Sequence, residues 1–235
     1  EEQFASWQAP ATPKPEKTLD ASAASDENRV FLIDKPGTPQ SLIIAGQLAP
    51  SGQVDNADTI DVMNTILGGS FTSRLNMNLR EDKGWSYGAR SIWLDNEGPG
   101  LLMALAPVQT NKTQESIQEI VKEFTQYEDD KPATDDELAK VKANKTAKLP
   151  GAYETKGALL GGLVSTFNKG KDVEYLESYG QRINAITLDD IQQSADKVLT
   201  PNAMTWVIVG DLAEIEDKVR ELNLGEVTIL QSDEE

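Results

Sequence analysis

Short apolar runs bounded by turn residues predict that the folded part of the chain begins with strands. The runs RVFLID and SLIIAGQLA flank the turn-like KPGTP, and a later pair of runs is joined by the turn-rich DNEGPG. Branched and aromatic residues bounded by Gly, Pro and Asn are typical of strands. The pattern therefore predicts strands in pairs, at residues 29–34, 41–49, 85–95, 100–108, 203–209 and 226–230.

Apolar positions spaced three and four residues apart predict helices between these strands. The clearest stripe consists of Ile117, Ile120, Val121 and Phe124, which fall on one face of a helix. Thr134 followed three residues later by a glutamate predicts a capping box at the start of the next helix. Helices are predicted at residues 55–67, 72–82, about 117–128, 134–149, 154–168, 173–184, 188–199 and 212–223.

Glycines are predicted to shape several of these helices. Gly68 and Gly69 are expected to end the first helix, which Asp55 would cap, because glycine tolerates the left-handed conformation after a helix. Gly84 is expected to end the second helix in front of the strand at 85–95. In the helix at 154–168, glycines at positions 157, 161 and 162 are expected to allow close helix packing.

Paired strands that alternate with helical hairpins predict an α+β fold with a mainly antiparallel sheet. Residues 1–27 contain Pro10, Pro13 and Pro15 and no sustained periodicity, which predicts a flexible linker or N-terminal arm. Residues 28–235 are predicted to form a single domain.

Composition excludes several classes of function. The chain has 22 basic and 39 acidic residues, a net charge of −17, which argues against nucleic acid and against anionic membrane surfaces as partners. No apolar run approaches the roughly 18–20 residues of a membrane span. The absence of cysteine excludes disulfides and thiolate sites, and the absence of histidine excludes a Ser–His–Asp triad. Zinc would have to rely on carboxylates alone, which is unusual for this metal.

The segment LREDKGWSYG holds the candidate chemistry. Arg80 is predicted near the end of a helix and Tyr87 on the following strand, so that both side chains can reach one rim of the sheet. A phenol and a guanidinium are hydrogen-bond donors suited to a developing oxyanion. By spacing alone, a surface arginine and a core or rim tyrosine remain alternatives. Strand alternation places Trp85, Tyr87 and Ala89 on one face, with Ser86, Gly88 and Arg90 on the other.

Residues 67–90, LGGSFTSRLNMNLREDKGWSYGAR, resemble the Arg–Tyr segment of pitrilysin/insulinase-like zinc metallopeptidases. The resemblance implies helices packed on one face of the sheet, and roles for Arg80 and Tyr87 in substrate binding and oxyanion support. The family's H-x-x-E-H zinc motif has no counterpart here. The resemblance therefore implies a peptide substrate, zinc on a partner domain or subunit, no metal or cofactor held by this chain, and no activity alone. It also implies, as a weaker expectation, a bacterial periplasmic location.

Two other functions fit the same sequence. The chain could be a non-catalytic scaffold or interaction subunit with this fold, which would have no need of the Arg–Tyr pair. It could also be a peptide-binding module that holds extended chains by strand addition. Binding of unfolded peptides to the isolated chain would distinguish the module, because half an active site is expected to bind them weakly.

Overall fold

In the computed structural model, which describes residues 5–8, 11–12 and 24–231, six strands form one sheet. Most of the predicted arm at residues 1–27 lies outside the described residues. The strands are β1 (Arg29–Asp34), β2 (Gln40–Ala49), β3 (Arg90–Leu94), β4 (Gly100–Gln109), β5 (Thr205–Gly210) and β6 (Glu226–Leu230).

The sheet has the strand order β3-β4-β2-β5-β1-β6. The first three pairings in this order are antiparallel, and β1 pairs in parallel with β5 and β6. The predicted α+β fold with a mainly antiparallel sheet is confirmed. The parallel part forms because helices connect the strands that meet there, and parallel neighbours need such crossovers.

Helices account for most of the chain between the strands. They are α1 (Ala57–Asn64), α2 (Arg74–Asn76), α3 (Thr113–Glu128), α4 (Asp135–Ala147), α5 (Leu149–Ala152), α6 (Lys156–Asn168), α7 (Val173–Glu177), α8 (Tyr179–Ala185), α9 (Leu188–Val198) and α10 (Leu212–Glu221). Two π-helical turns, Thr65–Gly69 and Met77–Asp82, continue α1 and α2. A short 3-10 turn, Thr110–Lys112, precedes α3.

The two faces of the sheet differ in burial. Along β2, Ser41, Ile43 and Ala45 are fully buried against the helical layer. Leu42 and Leu48, which point the other way, are each 37% exposed. The buried face packs against the predicted stripe of α3, in which Ile117, Ile120 and Phe124 are fully buried. Among the described residues, no helix covers the opposite face at these two leucines, which remain partly exposed.

The prediction that Gly68 and Gly69 end the first helix in a left-handed conformation is wrong. Positive φ angles occur at Gly37, Gly84 and Gly170 among the described glycines, and the helix continues as a π-helical turn to Gly69. Gly68 is needed for a different reason, because an added Cβ would overlap the backbone nitrogen and side chain of Ser91 on β3. The predicted cap is also wrong, since Asn56 occupies the N-cap position without a side-chain hydrogen bond. Gly84 ends the second helix as predicted, with φ of 66°.

The segment after the predicted capping box also differs from expectation. Thr134 and Glu137 form the box, but α4 ends at Ala147 and Pro150 lies inside the short α5. Helix α6 makes few close contacts through its glycines: nothing lies within 4 Å of a Cβ added at Gly157 or Gly161, whereas Gly162 packs on a tyrosine ring. The expected close packing therefore holds for one of the three glycines.

An ion pair links α2 to α4. The Arg74 guanidinium donates to both carboxylate oxygens of Glu137 at 2.7 Å and also to two backbone carbonyls of the α3–α4 loop. Burial alone would raise the pKa of Glu137, but the hydrogen bonds from Arg74 and Thr134 lower it below its ordinary value. The carboxylate thus stabilises the folded state through its charge as well as through the capping box.

The Gly68→Ala substitution is expected to destabilise the fold by about 2 kcal/mol, because the methyl group must push β3 away from the π-helical turn. Gly161→Ala is the matched control, since it adds the same methyl group to a helix in open space. The control is expected to be neutral or to stabilise by about 0.5–1 kcal/mol. Urea unfolding of both variants checks the difference, and equal effects would contradict the close-approach explanation.

Replacing Glu137 by Gln is expected to lower the free energy of unfolding by about 1 kcal/mol at pH 7. Because the pKa of Glu137 is lowered on folding, its stabilisation is complete above the unfolded-state pKa, about 4.3, and is lost as pH falls through the folded-state pKa. The difference between wild type and variant should therefore shrink below pH 4. Urea unfolding at several pH values measures it, with Asp136→Asn as a control for loss of an exposed charge. A difference that does not change with pH would be inconsistent with the ionic contribution.

Candidate functional site

Arg80 lies on the π-helical turn Met77–Asp82, where a wider turn replaces the predicted α-helix. Such turns are rare and frequently occur at functional sites. The neighbouring Leu79 is fully buried and holds the turn against the core. The Arg80 guanidinium stacks 4.5 Å from the ring centroid of Phe71 and lies 3.5 Å from a carboxylate oxygen of Glu81. The side chain remains 36% exposed, so its remaining donors are accessible.

Tyr87 lies on a turn and not on a strand, as β3 begins only at Arg90. The hydroxyl of Ser86 donates to the carbonyl of Pro107 at 2.6 Å and accepts from the backbone N–H of Gly88 at 3.0 Å. The bond between Gly88 and the Ser86 hydroxyl is of a kind typical of serine in turns, and it makes the chain bulge outward at Tyr87. Tyr87 is consequently 88% exposed and has no hydrogen bond or ion pair to any residue in the described part of the chain.

Arg80 and Tyr87 border the same groove, as the sequence predicts. The groove has a volume of about 710 Å³ and is floored by Leu42, Leu105 and Pro107 from the open face of the sheet. Its position therefore combines two exposed donors with an apolar surface that the helices of residues 24–231 leave uncovered.

Asn76 connects the two walls of this groove. Its side-chain nitrogen donates to the carbonyl of Phe71 at 2.6 Å, and its side-chain oxygen accepts from the backbone N–H of Ala89 at 3.2 Å. The residue is 4% exposed, so both bonds are shielded from water. Asn76 thus fixes the segment that carries Tyr87 against the helical segment that carries Arg80.

The expected strand alternation around Tyr87 is wrong. Ala89 is buried whereas Tyr87 is exposed, and Arg90 lines the same groove as Tyr87 instead of the opposite face. The reason is that residues 85–89 do not form a regular strand, so their side chains do not alternate between the two faces of the sheet. Among the described residues, their one β-bridge joins Ser86 to Val108. Arg90 pairs directly with Leu105, which puts it on the open face of the sheet.

Sequence reasoning did not identify Phe71, Asn76 and Arg90 as site residues. Phe71 is 62% exposed beside Arg80, and an aromatic residue between two short polar runs is a signal that could have marked it. Asn76 carries no such signal, because a helical asparagine is usually a solvated residue. Arg90 was not identified because the face of the sheet on which its side chain lies depends on the residue at which β3 begins.

The chain does not provide a zinc site of its own in the part that the structure describes. Its sequence contains no histidine and no cysteine, and no three acidic side chains of residues 5–8, 11–12 and 24–231 gather closely enough to hold a metal ion. Within the same residues, no helix has the length and apolar character needed to cross a bilayer.

Residues 1–145 match the family model described as peptidase M16 inactive domain. Among curated proteins, none matches the chain. The match includes the whole segment that contains Arg80 and Tyr87.

Solved structures of low sequence identity have a similar fold. A peptidase M16 inactive domain from Pseudomonas fluorescens aligns with a TM-score of 0.76 at 20% identity, over 84% of this chain and 47% of that one. A protease from Helicobacter pylori aligns with a TM-score of 0.78 at 20% identity, over 88% and 50%. The inactive peptidase domain of a putative zinc protease from Bordetella parapertussis aligns with a TM-score of 0.62 at 19% identity, over 72% and 91%. The chain thus spans about half the length of the first two.

Removing the Asn76 side chain by substitution with Ala is expected to loosen the segment that carries Tyr87. Loss of its two buried hydrogen bonds should cost about 1–3 kcal/mol and raise amide hydrogen exchange at Ala89. Asn78→Ala is a suitable control, because Asn78 is similarly buried but bonds to Glu119 and Glu123 on α3. If both variants changed exchange at Ala89 equally, Asn76 would have no specific role in positioning.

Proposed function

The chain belongs to the peptidase M16 inactive-domain family, and from this premise we propose that it closes a peptide chamber together with a zinc-bearing partner domain or subunit. Arg80 and Tyr87 would contact the peptide from the wall opposite the partner's zinc. The observation that carries the proposal is that both side chains border one groove on the uncovered face of the sheet. A partner can cover this face without displacing any of the chain's own helices.

The two side chains suit the charge that develops during peptide hydrolysis. Attack on a peptide carbonyl converts its oxygen to an oxyanion, which preorganised donors stabilise. The Tyr87 hydroxyl has no competing partner among the described residues and is free to donate to such an oxygen. Arg80 supplies a permanent positive charge, and its stacking on Phe71 restricts the orientation of the guanidinium plane. Placed beside a substrate, the pair would bind the carbonyl and lower the barrier to its hydrolysis.

A scaffold role is the second candidate, and the open sheet face is the feature that favours it. Leu42 and Leu48 are partly exposed on a face that alternates regularly with a buried one. Such a face suits a stable interface between domains whether or not chemistry takes place there. The two candidates differ in what Tyr87 does, because a scaffold needs the apolar face but not the exposed phenol.

Substituting Tyr87 by Phe removes the hydroxyl with little change in shape. In the assembly with its zinc-bearing partner, the variant is expected to lower kcat about 100-fold, the usual effect of losing one oxyanion donor. Tyr153→Phe is the control, since Tyr153 lines a different cavity and is also partly exposed. Steady-state hydrolysis of a peptide measures both. An unchanged kcat for Tyr87→Phe, with the assembly intact by gel filtration, would favour the scaffold role.

A further inference from the structure

The groove that contains Arg80 and Tyr87 adjoins a second groove beside β3. The second groove has a volume of about 660 Å³ and lies between β3, the π-helical turn Thr65–Gly69 and α4. The two share a set of lining residues, namely Gly69, Ser70, Phe71, Ser91 and Ile92. The two grooves are therefore direct neighbours, and together they are here called the β3 channel.

The β3 channel is cationic in a strongly acidic protein. Five basic side chains line it, against two carboxylates: Arg80, Arg90, Lys140, Lys145 and Lys148, with Asp61 and Glu137. The chain as a whole has a net charge of −17. The lining of the channel therefore has three more basic than acidic side chains, opposite in sign to the net charge of the chain.

Ion pairs within the protein neutralise both of these carboxylates. Asp61 accepts from Lys145 at 2.6 Å, and Glu137 accepts from Arg74 at 2.7 Å. Three exposed cations, Arg90, Lys140 and Lys148, form no hydrogen bond or ion pair with any residue in the described ranges. They are available to a ligand in addition to the exposed part of Arg80.

We infer that the β3 channel selects peptides that carry acidic side chains, with Arg90, Lys140 and Lys148 as the specificity-determining residues. Exposed carboxylates in an extended peptide would lie beside these cations, while its apolar side chains contact Leu105 and Phe71. A polyphosphate chain is a poorer fit, because it has no apolar groups to contact Leu105 and Phe71 in the lining. The inference rests on the proposed function for the nature of the ligand, and adds to it the class of peptide that is bound.

Direct binding to the whole chain tests this selectivity without any need for turnover. The probes are three fluorescent peptides of equal length and equal apolar content, with their variable positions filled by Glu, Gln or Lys. Anisotropy at low ionic strength is expected to show the Glu peptide binding about tenfold more tightly than the Gln peptide, and the Lys peptide most weakly. Three exposed charge pairs together account for a factor of this size. Added salt should remove the preference.

A charge-matched pair of triple variants separates the channel from the overall charge. Arg90→Gln with Lys140→Gln and Lys148→Gln is expected to abolish the preference for the Glu peptide. Lys35→Gln with Lys197→Gln and Lys218→Gln removes the same charge from exposed positions outside the channel and should preserve the preference. Circular dichroism establishes that both variants are folded.

Several results would overturn the inference. These are equal binding of all three peptides, preference for the Lys peptide, no measurable binding of any peptide, equal effects of the two triple variants, or tighter binding of an equally charged oligonucleotide. The proposed function fails separately, by an unchanged kcat in Tyr87→Phe. Loss of charge selectivity with a kcat that still depends on Tyr87 would therefore reject this inference alone.

Discussion

The close approach of Gly68 to Ser91 is the contact on which the geometry of the site depends. It brings the π-helical turn at the end of α1 directly against β3, at a distance that no side chain larger than hydrogen allows. The Ser91 hydroxyl donates to the side-chain oxygen of Asn64 at 2.6 Å across this contact. Asn76 makes the next connection, from the helical layer to Ala89. Because these hydrogen bonds are buried, they fix the relative positions of the two groove walls that carry Arg80 and Tyr87.

The order of elements and the antiparallel part of the sheet could be predicted from sequence, because apolar periodicity and capping residues are local signals. Thr134 with Glu137 and the stripe through Ile117 and Phe124 are examples. The π-helical turns and the role of Gly68 could not be predicted in this way, since they depend on how closely two distant segments pack. The sheet face on which Arg90 lies could not be predicted either, because hydrogen bonds of Ser86 and Asn76 determine the residue at which β3 begins.

The candidate site was predictable in part, through the resemblance of residues 67–90 and not through spacing alone. Sequence spacing alone identified Arg80 and Tyr87 as two donors near the end of a helix. It left open that the arginine is an ordinary surface residue and the tyrosine a core or rim residue. The fold brings Arg80 and Tyr87 to one groove and adds Phe71 and Arg90 to its lining. The proposal that a partner domain holds the zinc rests on what the chain lacks, because a sequence without histidine or cysteine offers zinc only carboxylates. The lining of the channel also differs in charge from the chain as a whole, with five basic and two acidic side chains in a protein of net charge −17.

We propose that Arg80 and Tyr87 act on the same group of a bound peptide. A double-mutant cycle on kcat/KM, with Arg80→Met, Tyr87→Phe and the double variant in the zinc-bearing assembly, tests it most directly. Two groups that stabilise one oxyanion should be non-additive, with the double variant losing at least about 1 kcal/mol less than the sum of the single losses. Losses that add within about 0.5 kcal/mol, or single variants with no loss, would contradict a shared role.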